Sequence, residues 1–346
     1  MKKILNCLFF CLFLIIFFSC TLYRNVPIEV FQPKEVKLPS DVQNIGFIYR
    51  NFKFTNDTLQ QYFLLDDILT ADRFNKGKNI DSLMAVTCLQ NAANEFQKNG
   101  VCRNPVIFPV DIFPRQTGEN IHSLPPSLIK KLAMPAKAGY LVFLETLSYF
   151  FSQYNLSEDH ADYQQVKLAG IWSLYDVETG EIADSKTLAD TIYWDYQELA
   201  QQQPVAKIPP RLPAMVQAAG LFGENYSKRF YSGWKKVDRL MVIPPLEDFR
   251  MAAELANEQQ WDKARDIWEK YADPHLGRLS VSACYNMALA FEISDDLEMA
   301  NQWIDRAVNA AKRFKNKEEG KLTLQYQSIL ATRMKEIEQS GKVHQQ

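Results

Sequence analysis

The apolar pattern of this 346-residue chain changes its period once, at Pro244-Pro245. Before that point, runs of strand length alternate with helical repeats. After it, every apolar pattern is helical. A sheet face or helix stripe has to be covered by another layer, so such a chain folds as a sheet carrying helices and then as a helical segment. The expected class is α+β. A mixed β-sheet of about five or six strands with flanking helices occupies 41–245, and an all-α segment occupies 246–340.

Within the first part, Asn44–Phe52 is rich in β-formers and reads as a strand. Residues 53–78 read as an irregular loop with a helical turn around Leu64–Leu69. Ile80, Met84, Cys88, Ala92 and Phe96 recur every four residues and mark a helix, closed by Asn99-Gly100. Val106–Val110 reads as an edge strand because of Pro109. Pro125-Pro126 open a second helix, and Tyr140–Leu147 is apolar enough for a strand covered on both faces. Val166–Tyr175 and Ile182–Trp194 form a hairpin around Asp176–Glu181. Met215, Ala219, Phe222, Tyr226 and Phe230 give a third helix, whose Ala218, Gly220 and Gly223 allow close packing on a sheet. Arg239–Ile243 is a last short strand.

Residues 1–19 set the address. Lys2 and Lys3 precede an apolar run, Ile4–Phe18, of about 15 residues, where a span of the hydrocarbon core needs about 20. Ser19-Cys20 follows, a small residue directly before a cysteine, as lipid modification of Cys20 requires. The expectation is a signal peptide over 1–19 and a lipidated tether over 20–40, the latter rich in proline. Several acyl chains on Cys20, each CH₂ contributing about 0.8 kcal/mol, make a permanent membrane anchor. No acidic cluster follows Cys20, which favours the periplasmic face of an outer membrane over the cell surface.

Removing the two lysines of the signal leaves 37 basic against 41 acidic residues. That balance offers nothing to nucleic acid. The three remaining thiols, Cys88, Cys102 and Cys284, form no disulfide framework; Cys88 and Cys102 read either as a bridge or as buried small hydrophobes. The histidines His122, His160, His275 and His344 are scattered, so neither a metal nor a cofactor is expected. Nucleophile elbows, metal-binding helices and phosphate loops are missing from the sequence, and no enzymatic activity is expected. Asp66-Asp67 and Asp295-Asp296 suit turns and helix starts better than paired catalytic acids. Glu145 interrupts an apolar strand and needs a partner, as a lysine or a strand end would supply; the alternative is a functional acid that, with loop acids, would serve a hydrolase. Trp172 and Trp194 either stack on a glycan or pack across strands. Asp57-Thr58-Leu59 is a short candidate glycosylation motif in a polar loop.

Beyond Pro245, two segments align at a spacing of 36. Met251, Ala252, Leu255, Ala264 and Trp268 match Met287, Ala288, Phe291, Ala300 and Ile304. They resemble tetratricopeptide repeats, with two extra residues and without the glycine of the consensus turn. The resemblance implies paired helices that bind protein, with Trp268 and Ile304 plugging the space between pairs; Trp261, Trp268 and Trp303 are the candidate protein-binding residues.

The chain as a whole resembles a family of Bacteroidetes lipoproteins known as domain of unknown function 6340. The resemblance rests on Ser19-Cys20, the Pro33–Pro39 passage into Ile45-Gly46-Phe47, Gly77 and Asp81, Leu144-Glu145, and Trp234–Arg239. It extends over nearly the whole chain and implies no activity. The expected protein is therefore a membrane-anchored envelope lipoprotein that serves as a non-catalytic scaffold for another envelope protein. The alternative is a lipoprotein that binds glycan or peptidoglycan.

Overall fold

The computed structural model describes residues 21–71, 80–155, 163–196, 199, 208–314 and 317–341. In chain order its strands are β1 (Leu22–Gln32), β2 (Asn44–Tyr49), β3 (Phe52–Phe54), β4 (Tyr62–Leu65), β5 (Ile68–Ala71), β6 (Asn104–Ile107), β7 (Gln116–Gly118), β8 (Tyr140–Tyr154), β9 (Tyr163–Asp176), β10 (Ile182–Asp195) and β11 (Gly233–Ile243). The helices are α1 (Ile80–Lys98), α2 (Pro126–Ala133), α3 (Arg211–Ser227), α4 (Glu247–Asn257), α5 (Trp261–Glu269), α6 (Arg278–Ile293), α7 (Leu297–Arg313) and α8 (Lys317–Gly341). The class is α+β, a mixed sheet with helices followed by a helical segment. Two compact units divide the chain. One is Lys34–Tyr231; the other joins the chain up to Pro33 with the chain from Ser232 onward.

The first unit is built on a seven-stranded sheet whose main path is β10-β9-β8-β2-β6. β2 runs parallel to β6 and β8, and β8, β9 and β10 are antiparallel neighbours. The far half of β8 is met by β4, which pairs with β5 in a hairpin. One face carries α1 and α3 over Phe47, Tyr49, Val142, Leu144, Val166, Leu168 and Trp172. The other face, near α2, buries Ile48, Leu141, Phe143 and Tyr175.

The register of β8 against β9 slips between Leu144 and Thr146, leaving Glu145 as a bulge residue. A bulge changes which side chains face the helices. Before it, Val142 and Leu144 join the α1–α3 core; after it, Leu147, Tyr149 and Phe151 do. The unbroken apolar text of Tyr140–Leu147 is thus a strand covered on both faces that also switches parity. Close approach of α3 is made to α1 instead of to a sheet. A Cβ on Gly223 would lie 2.0 Å from the Cys88 carbonyl oxygen, and one on Gly220 would lie 2.9 Å from Asn91 Nδ2.

Three expectations are corrected. Residues 22–32 are a strand instead of a tether: β1 pairs with β11 across all eleven residues, from Leu22↔Ile243 to Gln32↔Gly233. The alternation in Val26-Pro27-Ile28-Glu29-Val30 carries that signal, and Pro27 within it, with Pro33 and Pro39 beyond, masked it. The final strand is accordingly longer than Arg239–Ile243 and lies outside the mixed sheet. Residues 62–71 are a hairpin instead of a helical turn. Asp66 and Asp67 occupy its tip at φ 47° and 65°, left-handed values that Asp tolerates better than most side chains.

The second unit combines the β1–β11 ribbon with five helices, α4 to α8. Asn286 in α6 ties the two parts, donating from Nδ2 to the Val242 carbonyl and accepting from the Val242 amide, at 2.7 and 2.9 Å. The 36-residue spacing recurs in the backbone. Gln259 and Asp295 have φ 62° and 59°. The Gln260 amide reaches the Leu255 carbonyl at 2.8 Å, and the Asp296 amide reaches the Phe291 carbonyl at 3.0 Å. Both turns are thus Schellman closures in which a non-glycine residue takes the left-handed position. Burial repeats as well: Ala252 and Ala288, Ala264 and Ala300, Trp268 and Ile304 are all fully buried. Met251 is half exposed, whereas its counterpart Met287 is buried.

Candidate functional site

The buried acid of the sheet unit has a partner. Glu145 Oε2 accepts from Arg50 Nη1 at 2.9 Å, with both side chains buried. Burial pushes the Glu145 carboxyl up, and the Arg50 guanidinium and a Ser173 hydrogen bond oppose that push. The expectation of a lysine or a strand end is replaced by an arginine at a mid-strand bulge. With Glu145 1% exposed, the Arg50 guanidinium compensates a charge inside the sheet and ties the end of β2 to the bulge.

A second polar group stands where β2 hands over to β3 and α1 begins. Asp81, in the first turn of α1, accepts from Lys53 Nζ at 3.0 Å, from the Tyr149 hydroxyl at 2.5 Å and from Arg115. Burial would raise its carboxyl, but the Lys53 charge and the Tyr149 and Lys53 hydrogen bonds hold it below the usual range. Asp57 accepts from the Ser148 hydroxyl nearby, while Thr58 itself is exposed. All these charges are mutually compensated, and the cluster joins the loop after β2 to α1.

The tryptophans expected to stack on a glycan are core residues. Trp172 is fully buried and lies parallel to Tyr226, ring centroids 4.1 Å apart. Trp194 is 9% exposed. The register pairs Trp172 with Lys186 and Trp194 with Gln164, which puts both on the face covered by α1 and α3. The neighbour Tyr193 points the other way and is 56% exposed, stacked with Tyr163 at 6.2 Å. Tyr154 meets Tyr163 at 6.1 Å. These tyrosines form the aromatic row that is open to solvent. Strand parity in the hairpin, with Val166 and Leu168 facing the core, was the signal that could have found it.

The three tryptophans on the helices of the second unit are also sorted. Trp268 is fully buried and Trp303 is 6% exposed, with Arg306 3.9 Å above its ring. Neither offers a face to a partner. Trp261 is half-buried at the start of α5, its Nε1 donating to Gln259 at 3.3 Å. It lines a shallow depression of about 450 Å³ with Gln259, Gln260, Asp262 and Lys263. Met251 on α4 is among the exposed apolar side chains of this unit.

Glu292, at the end of α6, accepts from Arg239 Nε and Nη2 at 2.9 Å each, from the Tyr326 hydroxyl at 2.6 Å and from Arg333 Nη1 at 2.5 Å. Burial would raise this carboxyl, yet the Arg239 and Tyr326 hydrogen bonds and the Arg239 and Arg333 charges keep it depressed. It binds β11, α6 and α8 together. Its signal in the sequence is absent, because the four residues lie on three separate elements.

Cys88, Cys102 and Cys284 are free and buried, so the alternative of a Cys88–Cys102 bridge does not hold. Cys20, His160 and His344 lie outside the described residues. Among the described residues, no three His, Cys, Asp or Glu side chains converge as metal ligands, and no helix is long and apolar enough to cross a membrane.

These features define an α+β protein whose buried carboxylates are paired with arginines and whose open features are edges, tyrosines and a helical surface. The chain belongs to the family described as Domain of unknown function (DUF8603), whose model matches residues 42–241. A second model, Domain of unknown function (DUF6340), matches residues 250–332. The likeness to that second family is therefore confined to the helical unit instead of running along nearly the whole chain. No curated protein matches. Among solved structures, the chain is similar to the PelC dodecamer from Paraburkholderia phytofirmans at 11% identity and TM-score 0.26, covering 60% of this chain and 99% of that one. A neuraminyllactose-binding hemagglutinin homolog from Helicobacter pylori gives 8% identity and TM-score 0.26 over 56% and 83% of the two chains. A minor lipoprotein from Acinetobacter baumannii gives 10% and 0.21 over 56% and 98%. Overlaps of this size define no shared role.

Proposed function

We propose that this protein is a lipid-anchored envelope lipoprotein, non-catalytic, whose helical unit docks another envelope protein at the periplasmic face of the outer membrane. The observation that carries the reading is the doubled helical hairpin: two turns with the same Schellman closure and a non-glycine residue at the same left-handed position, 36 positions apart. That geometry supports kinship with tetratricopeptide repeats, which stack helix pairs into surfaces for protein ligands. The contact residues are Trp261 and Met251, which keep open surface, in place of Trp268 and Trp303. Anchoring follows from Ser19-Cys20. β1 begins at Leu22, two residues after Cys20, so the folded body stays within about 7 Å of the lipidated residue along the chain. Leu22 and Tyr23 are exposed there, as residues meeting a lipid surface would be.

Two measurements test this. Cys20→Ser should release the protein from membranes and abolish labelled-palmitate incorporation; retention in the membrane fraction would overturn the anchor. Affinity capture from detergent-solubilised envelope should return a stoichiometric protein that Met251→Glu loses without a change in melting temperature and that Trp261→Ala, which also trims core packing, loses while still folded. Retention on isolated peptidoglycan with no protein partner, reduced by Tyr193→Ala, would favour the glycan-binding alternative and sink the docking reading.

A further inference from the structure

The sheet unit leaves one long edge open. β10 is fourteen residues long, and among the described residues it pairs only with β9. The Ile171 amide donates to Thr146 Oγ1 at 3.1 Å, so odd-numbered residues of β9 turn their backbone towards β8 and even-numbered ones towards β10. Through the register, Lys186, Leu188, Asp190 and Ile192 bond to β9. Ser185, Thr187, Ala189, Thr191 and Tyr193 aim their amides and carbonyls outward. All five are exposed, and the Thr191 amide meets only the neighbouring Asp190 carboxylate, at 2.8 Å.

We infer that β10 pairs antiparallel with β10 of a second copy, about a two-fold axis through Leu188, forming a continuous sheet across a homodimer. Charge selects this register. With Leu188 opposite its own copy, Lys186 stands directly across from Asp190 of the other chain, twice per interface. Thr187 and Ala189 then exchange backbone hydrogen bonds, as do Ser185 and Thr191. A shift by one pair in one direction sets Asp184 against Asp190. The opposite shift sets both Lys186 and Asp190 against apolar side chains, Ile192 and Leu188. Further shifts oppose Asp190 to itself or Lys186 to itself. Opposite charges across a strand pair stabilise it and like charges destabilise it. Lys186 rests on Glu35 at 3.2 Å with its side chain 40% exposed, and the Asp190 carboxylate accepts from Asn225 Nδ2 of α3 and from the Thr191 amide, so the cross-copy pair adds a second charged partner to each. Polar side chains and charges normally protect such an edge from promiscuous pairing, and among the registers that overlap most of β10 the same charges favour this one; an axis through Ser185 also sets Asp184 against Lys186 but overlaps only residues 182–188.

The test uses the full chain purified in detergent. Opposed residues of a non-hydrogen-bonded antiparallel pair lie about 4.5 Å apart at Cα, within disulfide range. Leu188→Cys should therefore give a disulfide-linked dimer under mild oxidation, and Lys186→Cys alone should not, while the native thiols stay buried. By sedimentation, Lys186→Asp and Asp190→Lys should each weaken the dimer about tenfold or more, and the double exchange should restore it. Melting temperatures of the variants separate lost pairing from lost fold. A wild-type chain that remains monomeric at about 100 µM, or equal cross-linking at 186 and 188, overturns the proposal.

Discussion

Replacing Glu292 by alanine tests whether the helical unit is held by one buried carboxylate. In the folded protein Glu292 is inaccessible to solvent, and the side chains of Arg239 and Arg333 are about 10% exposed. Removing the carboxylate leaves two guanidinium groups buried without their counter-charge and takes the acceptor from the Tyr326 hydroxyl. Loss of one member of a buried ion pair costs about 3–5 kcal/mol, mostly as the uncompensated charge left behind. For a unit of this size, each kcal/mol lowers the melting temperature by about 2–4 °C, so a fall of about 6–20 °C is expected. Calorimetry should show it in the transition of the helical unit, with the sheet unit's transition as internal reference. Lys236→Ala serves as the control, because its pair with Glu29 is 3.9 Å long and exposed on both sides, and it should change stability by less than about 0.5 kcal/mol. A Glu292→Ala loss below about 1 kcal/mol would refute the reasoning, since the cluster would then be relaxing into solvent.

Other consequences follow from the same geometry. Gln259→Gly should stabilise the helical unit by about 0.5–1 kcal/mol, the relief of a left-handed side chain less the entropy glycine loses; urea unfolding with no gain would show that the turn is unstrained. Gly223→Ala should cost at least about 1–3 kcal/mol, because the new methyl group meets the Cys88 carbonyl of α1, and thermal melts would reveal it. Glu35, Asp81, Glu95 and Glu292 are all held below their usual range, by Arg229, Lys53, Tyr231 and Arg239 respectively among other partners, against the opposing effect of burial. Their stabilisation is complete above the unfolded carboxylate value, about 4.3, and is lost as pH falls through their lower folded values. Denaturation midpoints should therefore drop below about pH 4; a flat profile from pH 5 to 3 would contradict the paired arrangement.

What the amino-acid order settled by itself was local. The four-residue apolar repeat from Ile80 to Phe96 places α1 where it is found, because one helical face had to be buried. The turn residues Asp176–Glu181 fix the β9–β10 hairpin, and the 36-residue spacing foretells two turns of matching character, whose shared hydrogen bonds the structure supplies. What tertiary structure decided is everything that depends on elements far apart in the chain. Residues 22–32 are a strand because Gly233–Ile243 lies beside them, more than 200 positions later. Trp172, Trp194, Trp268 and Trp303 are core instead of contact surface, because burial of a strand or helix residue is set by which layer covers its face. Glu145 and Glu292 are harmless inside the protein because Arg50 and Arg239 arrive from other elements. A side chain's chemistry is written in the sequence, but its solvent and its partners are conferred by packing.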